Sequence, residues 1–267
     1  MIKNSDLTEY FFKGIKSKHN LRIGVEHEKF ILNKNTLKPV SYEEHNGIKN
    51  ILEKLTTIGW TPLYDDNQKT IIALKRGKEA ITLEPGGQIE LSGAPLDNIH
   101  ETCEETTNHL KQLKKIGNEL NFILLGMGVE PNQALDEIPW MPKQRYDIMK
   151  KYMTKVGNLG HHMMKRTCTN QVNIDFFSEE DMIEKLRLMF NLESIATAMF
   201  ANSPFDQGKI SKYKSLRSHF WHDTDSDRTG LLPFVFEKGF CFEKYTDYAL
   251  NVPMYFINRN HKYIDMT

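Results

Sequence analysis

Gly24-Val-Glu-His-Glu-Lys-Phe30 and Thr82-Leu-Glu-Pro-Gly-Gly-Gln-Ile-Glu-Leu-Ser92 decide how this chain is read. Side chains alternate across a β-strand, so residues two apart share a face. In the first stretch Glu26 and Glu28 share one face, with Val25, His27 and Lys29 opposite. In the second, Gln88, Glu90 and Ser92 stand together against Ile89 and Leu91, and Glu84 precedes a Pro-Gly-Gly kink. A third stretch, Arg166-Thr-Cys-Thr-Asn-Gln-Val-Asn-Ile-Asp175, gathers Thr167, Thr169, Gln171, Asn173 and Asp175 on a wholly polar face. Polar residues at alternate positions also suit a solvated sheet surface. Paired carboxylates without interleaved lysines, however, repel unless a cation joins them. Donors that are all oxygen suit hard cations such as Mg²⁺. The residues therefore predict a metal-dependent site on one sheet face.

Working outward, helical periodicity predicts helices over Tyr42–Ile58, His100–Leu120 and Asp181–Ala201. The first carries Ile48, Ile51, Leu52, Leu55 and Ile58 on one face and stops at Gly59. The second has Cys103, Leu110, Leu113 and Leu120 on its stripe. The third is strongly apolar, follows Ser178 as a cap, and reads as a core helix. Strands are expected over Arg22–Leu32, Glu79–Ser92, Asn121–Gly128 and Arg166–Phe177. Only Phe122–Leu125 has the continuous apolar run of a buried parallel strand. The others keep a polar face. The fold class is thus α+β, an antiparallel or mixed sheet cupping a site, with helices on its other face.

With 267 residues and 39% hydrophobic content the chain can bury a sizeable core, and a single domain over 1–267 is expected. Lys plus Arg and Asp plus Glu each number 35, so overall charge argues for neither nucleic acid nor an anionic membrane. Cys103, Cys168 and Cys241 are too scattered for a disulfide framework or a zinc ribbon. No run approaches the roughly 20 apolar residues of a membrane span. With no Arg/Ser-rich transit segment visible, a cytoplasmic location is expected.

Several familiar motifs fail. Gly126-Met-Gly128 begins like a dinucleotide turn, but Pro131 replaces the third glycine, and no phosphate-binding P-loop occurs. Asp223-Thr-Asp-Ser-Asp227 alternates acids like a calcium loop, yet Arg228 and Phe234 occupy the positions of its glycine and last glutamate. His219 and His222 lack a partner pair for zinc. Arg217–Gly230 still crowds two arginines, two histidines and a tryptophan together. It reads either as a solvated loop or as an anion-handling one, since arginine forks fit carboxylate and phosphate. Arg145, in Pro142-Lys-Gln-Arg-Tyr146, is a further candidate.

Gly24–Phe30, Leu83–Pro95, Pro142–Met149, Arg166–Asn173, Ala201–Phe205 and Arg217–Asp225, in that order, resemble glutamate–cysteine ligases of the plant and proteobacterial type. The resemblance implies a carboxylate–amine ligase fold related to glutamine synthetase. It implies that ATP phosphorylates the γ-carboxylate of glutamate and that the amine of cysteine displaces phosphate, the first step of glutathione synthesis. By position it implies Glu26, Glu28, Glu84, Glu90 and Gln171 as Mg²⁺ ligands. It places Thr169 and Asn173 in the substrate pocket, Arg145 and Arg217 on substrate carboxylates, Arg228 at phosphate of the nucleotide, and Trp221 in the pocket wall. Cys103 matches a cysteine that plant members use in a regulatory disulfide, whose partner would lie past residue 267. The family also carries a later strand with a Glu-x-Arg motif, so this chain is expected to be the N-terminal part of a longer domain. A homodimer, or a partner chain supplying the later part, is the assembly expected. A ligase with another amine acceptor, and a non-catalytic ligand-binding remnant, are the alternatives.

Overall fold

The computed structural model describes residues 4–65, 69–260 and 262–267. In chain order its first half runs α1 (Asn4–Gly14), β1 (Ile23–Asn33), α2 (Ile48–Thr56), β2 (Thr61–Tyr64), β3 (Ile71–Arg76), β4 (Glu79–Leu83), β5 (Ile89–Ser92), α3 (Ile99–Leu120) and β6 (Phe122–Leu125). Then come α4 (Gln144–Val156), α5 (Gly160–Arg166), β7 (Asn170–Ile174), α6 (Glu179–Met199), β8 (Phe205–Asp206), β9 (Lys209–Ile210), α7 (Leu216–His222), α8 (Phe242–Asn251), β10 (Phe256–Arg259) and β11 (Lys262–Asp265).

Seven strands make one sheet in the order β2-β3-β4-β5-β1-β6, with β7 also paired to β1. Every pairing is antiparallel, β6 included. β1 is long enough to be shared along the edge away from β5. Its residues 23–27 meet β7 and residues 30–33 meet β6, which leaves a break at Glu28 and Lys29. Registers fix the faces. Leu74, Ile81, Leu91 and His27 align on one face, and Glu28, Glu90 and Thr82 on the other. The apolar face is covered by Ile48, Ile51, Leu52 and Leu55 of α2 and Leu113 and Ile116 of α3, which pack on Leu74, Ile81, Leu83, Ile89 and Leu91. Each such buried aliphatic side chain contributes about 1.5–3 kcal/mol. The architecture is the α+β arrangement expected, with an antiparallel sheet.

Local departures have local causes. The helix expected from Tyr42, α2, begins at Ile48. Asn46 is left-handed (φ 61°), and a Cβ on Gly47 would meet the Glu44, Ser41 and Tyr42 carbonyl oxygens at 2.6–2.9 Å. Tyr42 instead enters the core and donates to the Ile71 carbonyl at 2.7 Å. Glu79–Ser92 is a hairpin of two strands, because the Pro85-Gly86-Gly87 segment turns the chain. The strand expected from Arg166 starts only at Asn170. Arg166 closes α5 and is wholly buried, with its guanidinium on Asp206 at 2.7 Å and the Glu130 carbonyl at 3.2 Å. In α3 the buried stripe is Thr102, His109, Leu113 and Ile116, one residue round from the one expected, and Cys103 is exposed.

The largest departure is α6. It was expected in the core, yet none of its residues is buried. Its first half packs, with Phe190 against Phe236 and Arg187 donating to the Val235 and Glu237 carbonyls. From Leu188 onward almost every residue is exposed. Apolarity around a whole helix signals burial, but burial needs a neighbour.

Candidate functional site

Three acids converge beside the β4–β5 turn. Glu28 on β1 lies directly opposite Glu90 on β5. Glu84 opens the turn, which closes through Gly87 N donating to the Glu84 carbonyl at 2.9 Å. The turn is docked from two sides. Met141 N donates to the Pro85 carbonyl at 2.9 Å, and the buried Gln88 amide donates to the Thr167 carbonyl at 2.6 Å. Gly86 is required there, since a Cβ would sit 2.2 Å from the Lys165 carbonyl oxygen. Glu90 is buried and accepts from Thr82 Oγ1 at 3.0 Å and Ser92 Oγ at 2.6 Å. Glu28 accepts from Thr169 N at 3.0 Å.

The acids share one electrostatic environment. Burial, then Glu84 and Glu90, push the Glu28 carboxyl up to about 8, against the Thr169 N–H and Arg217. Burial and Glu90 push Glu84 up, against Lys143 and Arg145. Lys143, just before α4, is buried, with its ammonium donating to the Leu83 carbonyl at 2.7 Å. Burial and Arg145 push it down, against Glu84 and Glu90. Tyr146 also donates to the Leu83 carbonyl, at 2.6 Å. Lys143 and Tyr146 went unmarked in the sequence reading. Their signal was adjacency to Arg145, but a buried lysine is not distinguishable from a solvated one by composition.

The break in β1 pairing opens into a cavity of about 670 Å³. Glu28, Lys29, Cys168, Thr169, Ser203 and Arg217 are among its lining residues. Glu28 therefore links the cavity to the acid cluster. Arg217 sits on α7, whose first turn is held by Ser203 Oγ accepting from Arg217 N at 3.1 Å. The Arg217 Nε is buried without a hydrogen-bond partner among the described residues. Burial pushes the Cys168 thiol up to about 12, which disfavours the reactive thiolate. Lys29 lies opposite Ile89, on the sheet face away from Glu28 as expected, and its ammonium donates to the Glu28 main-chain carbonyl at 2.7 Å.

Other expected site residues fall at the periphery. Glu26, paired with Gln171, accepts from Asn173 Nδ2 at 3.0 Å, and Gln171 donates to Asn173 Oδ1 at 3.1 Å. Gln171 and Asn173 are exposed, and β1 lies between their strand and that of Glu90. Trp221 is partly exposed and lies 5.7 Å from the Arg217 guanidinium. Arg228 is engaged elsewhere. It pairs with buried Asp225 at 2.7 Å, stacks on Tyr255 at 3.8 Å, and donates to the Pro253 carbonyl. The Arg217–Gly230 segment thus divides, with Arg217 at the cavity and Arg228 in a structural knot.

Three oxygen-bearing acids suit a hard cation in chemistry. Their oxygens, however, do not all close to within 4.8 Å of one another. Among the described residues the trio that does is Glu179, Cys241 and Glu243, where Glu179 already caps α8 by accepting from Phe242 N at 2.6 Å.

The fold and site together are an antiparallel sheet whose acid cluster is framed by Lys143, Arg145 and Arg217 beside a cavity. The family is more particular. The glutamate-cysteine ligase family 2 (GCS2) pattern matches residues 22–266, and the chain belongs to that family. It is 54% identical over 267 residues to glutamate–cysteine ligase A, chloroplastic, of Oryza sativa subsp. japonica, covering 100% of this chain and 53% of the relative. It is 53% identical over 270 residues to the chloroplastic ligase of Brassica juncea, covering 100% and 51%. With that of Arabidopsis thaliana it shares 52% over 267 residues, covering 100% and 50%. The chain spans about half the length of the curated relatives it matches. These relatives are named chloroplastic, which overturns the expectation of a cytoplasmic location. That expectation rested on an unseen leader, and an absence in a sequence of this span carries no weight. No helix among the described residues is long and apolar enough to cross a membrane.

Proposed function

We propose that this chain carries the substrate-binding half of a carboxylate–amine ligase site that joins the γ-carboxylate of glutamate to the amine of cysteine, with ATP as co-substrate, on a glutamine synthetase-like sheet. The observation that carries the reading is the convergence of Glu28, Glu84 and Glu90 with Lys143, Arg145 and Arg217 in a member of this family. Arg217 orients a substrate carboxylate in the cavity through its fork, with Thr169 beside it. Lys143 and Arg145 set positive charge beside Glu84, opposing the burial and the Glu90 charge that push its carboxyl up. Glu28, Glu84 and Glu90 are the residues that would hold Mg²⁺, with Glu26 and Gln171 farther out. Bound there, the ion would offset negative charge on phosphate during transfer. The chain's own cations do the same for substrate carboxylates. Asn173 holds Glu26 in place, and Trp221 walls the arginine. Arg228 is left out of the nucleotide site, because Asp225 already neutralises it.

The test is a phosphate-release assay with ATP, Mg²⁺ and glutamate, run with cysteine and with a series of other amines, beside calorimetric titration of glutamate. Glutamate binding is expected of this chain, and release that requires glutamate and cysteine, with γ-glutamylcysteine as product, once the polypeptide that the relatives carry outside the match is supplied. Release with another amine in preference to cysteine would reassign the acceptor. Absence of glutamate binding, or of release with that polypeptide supplied, would overturn the proposal.

A further inference from the structure

We propose that Lys29 is a second cation of the substrate cavity, given room there by the missing side chain of Gly126, and that with Arg217 it grips the carboxylate of an amino-acid substrate. The inference rests on the ligase reading above, which makes the cavity a substrate site. It starts from the break in β1. Glu28 N donates to the Thr169 carbonyl at 3.0 Å, so the peptide groups of Glu28 point toward the open edge. Thr169 N donates to the Glu28 carboxylate and not to its main-chain carbonyl. That carbonyl receives the Lys29 ammonium at 2.7 Å.

Lys29 starts on the sheet face away from Glu28, opposite Ile89, and its stem turns back at the open edge beside Gly126. A Cβ at Gly126 would meet Lys29 Cε at 3.2 Å, Cδ at 3.3 Å and Nζ at 3.8 Å, and these are its three nearest neighbours. Gly126 has no left-handed φ, so its backbone does not call for glycine. What calls for it is the space taken by Lys29. Gly126-Met-Gly128, whose likeness to a dinucleotide turn fails, thus has a reason in the tertiary structure. Asn202 holds the segment in place. Its carbonyl accepts from Gly128 N at 2.8 Å, and its Nδ2 donates to the Gly126 carbonyl at 3.0 Å.

Lys29, Gly126 and Arg217 line the same cavity. Both cations act on Cys168 in its wall, where they oppose the burial and the Glu28 charge that push the thiol up. Among the described residues Lys29 makes one hydrogen bond and no ion pair. Two of its three N–H groups are left for a ligand. Arg217 brings a fork whose Nε is unpartnered. Glu28 is the one acid among the lining residues, and it also faces Glu84 and Glu90. Two cations against one shared acid favour a further negative charge. A carboxylate fits, since it accepts from a fork on one side and from an ammonium on the other. Glutamate and cysteine both carry an α-carboxylate, so the test separates them.

Glutamate and cysteine are each titrated calorimetrically into the 267-residue chain, into Lys29→Met, Lys29→Arg and Gly126→Ala, and into the double variant of Lys29→Met with Gly126→Ala. Thermal melting checks the folding of each. Lys29→Met should weaken binding of the amino acid whose carboxylate sits there by on the order of tenfold. Lys29→Arg, which keeps the charge, should restore most of the affinity. Gly126→Ala should weaken the same amino acid by about threefold or more, and should add nothing once Lys29 is methionine, because the new methyl group meets Lys29 alone. An ammonium that only caps the Glu28 carbonyl would change melting and leave affinity as it was. Binding by the unaltered chain that is unchanged in Lys29→Met or in Gly126→Ala overturns this inference alone, as does a Gly126→Ala loss that persists in the double variant. Binding of neither amino acid by the unaltered chain overturns the ligase reading and this inference with it.

Discussion

At the scale of single residues, burial and neighbouring charge push the Glu28 and Glu84 carboxyls up and the Lys143 ammonium down. Arg217 approaches Glu28 at the cavity wall with an unpartnered Nε. Lysine would keep the charge and lose the fork. Arg217→Lys should therefore weaken glutamate binding by on the order of tenfold to a hundredfold, measured by calorimetry. Undiminished affinity would remove Arg217 from substrate recognition. His109 is the opposite case, a buried histidine far from any role in the chemistry. Neither of its ring nitrogens has a partner among the described residues, and burial, with His27, Lys29 and Arg76 nearby, pushes it down to about 4. A histidine depressed in the folded state contributes stability that is complete above its unfolded value, near 6.5, and is lost as pH falls through 6.5 toward 4. The shift corresponds to on the order of 3 kcal/mol. Urea midpoints should fall over that window, and His109→Leu should flatten the fall. An identical pH profile in the variant would show that other groups cause it.

At the scale of elements, the β4–β5 turn determines where Glu84 stands. Gly86 lies against the Lys165 carbonyl with no room for a methyl group. Gly86→Ala should push the turn away from α5, lower stability by about 1–3 kcal/mol, and weaken the cluster together with it. A melting curve beside a magnesium titration checks both, and unchanged values would mean that the turn yields freely. The two acidic strands were legible because alternation alone sorts Glu26 and Glu28 from His27, and Glu90 from Leu91. The hairpin between β4 and β5 was visible only as a kink, because a Pro-Gly-Gly segment does not say in which direction the chain returns. In the same way α5 was hidden, because Arg166 looks like a strand residue until Asp206 and Glu130 are folded against it.

At the scale of the whole molecule, apolar surface is unevenly distributed. One face of the sheet is sealed by α2 and α3, whereas the second half of α6 stands open. Because Leu192 and Ile195 are both exposed on the helix surface, Leu192→Glu and Ile195→Glu should change thermal stability by only about 0.5 kcal/mol. The same changes should lower light scattering at high protein concentration, since exposed apolar patches drive association. A large drop in melting temperature would mean that α6 packs more than its exposure indicates.

The sequence by itself determined the α+β class, the acidic sheet face and the family, because alternation and ordered motifs are local and survive without coordinates. Tertiary structure alone decided three things. It brought Lys143 to Glu84, since residues far apart in the chain meet only after the turn docks on α4 and α5. It withdrew Arg228 from the site, since Asp225 and Tyr255 compete for it at closer range. It left α6 exposed, since an apolar pattern records what a helix can bury but not whether a neighbour is present to bury it.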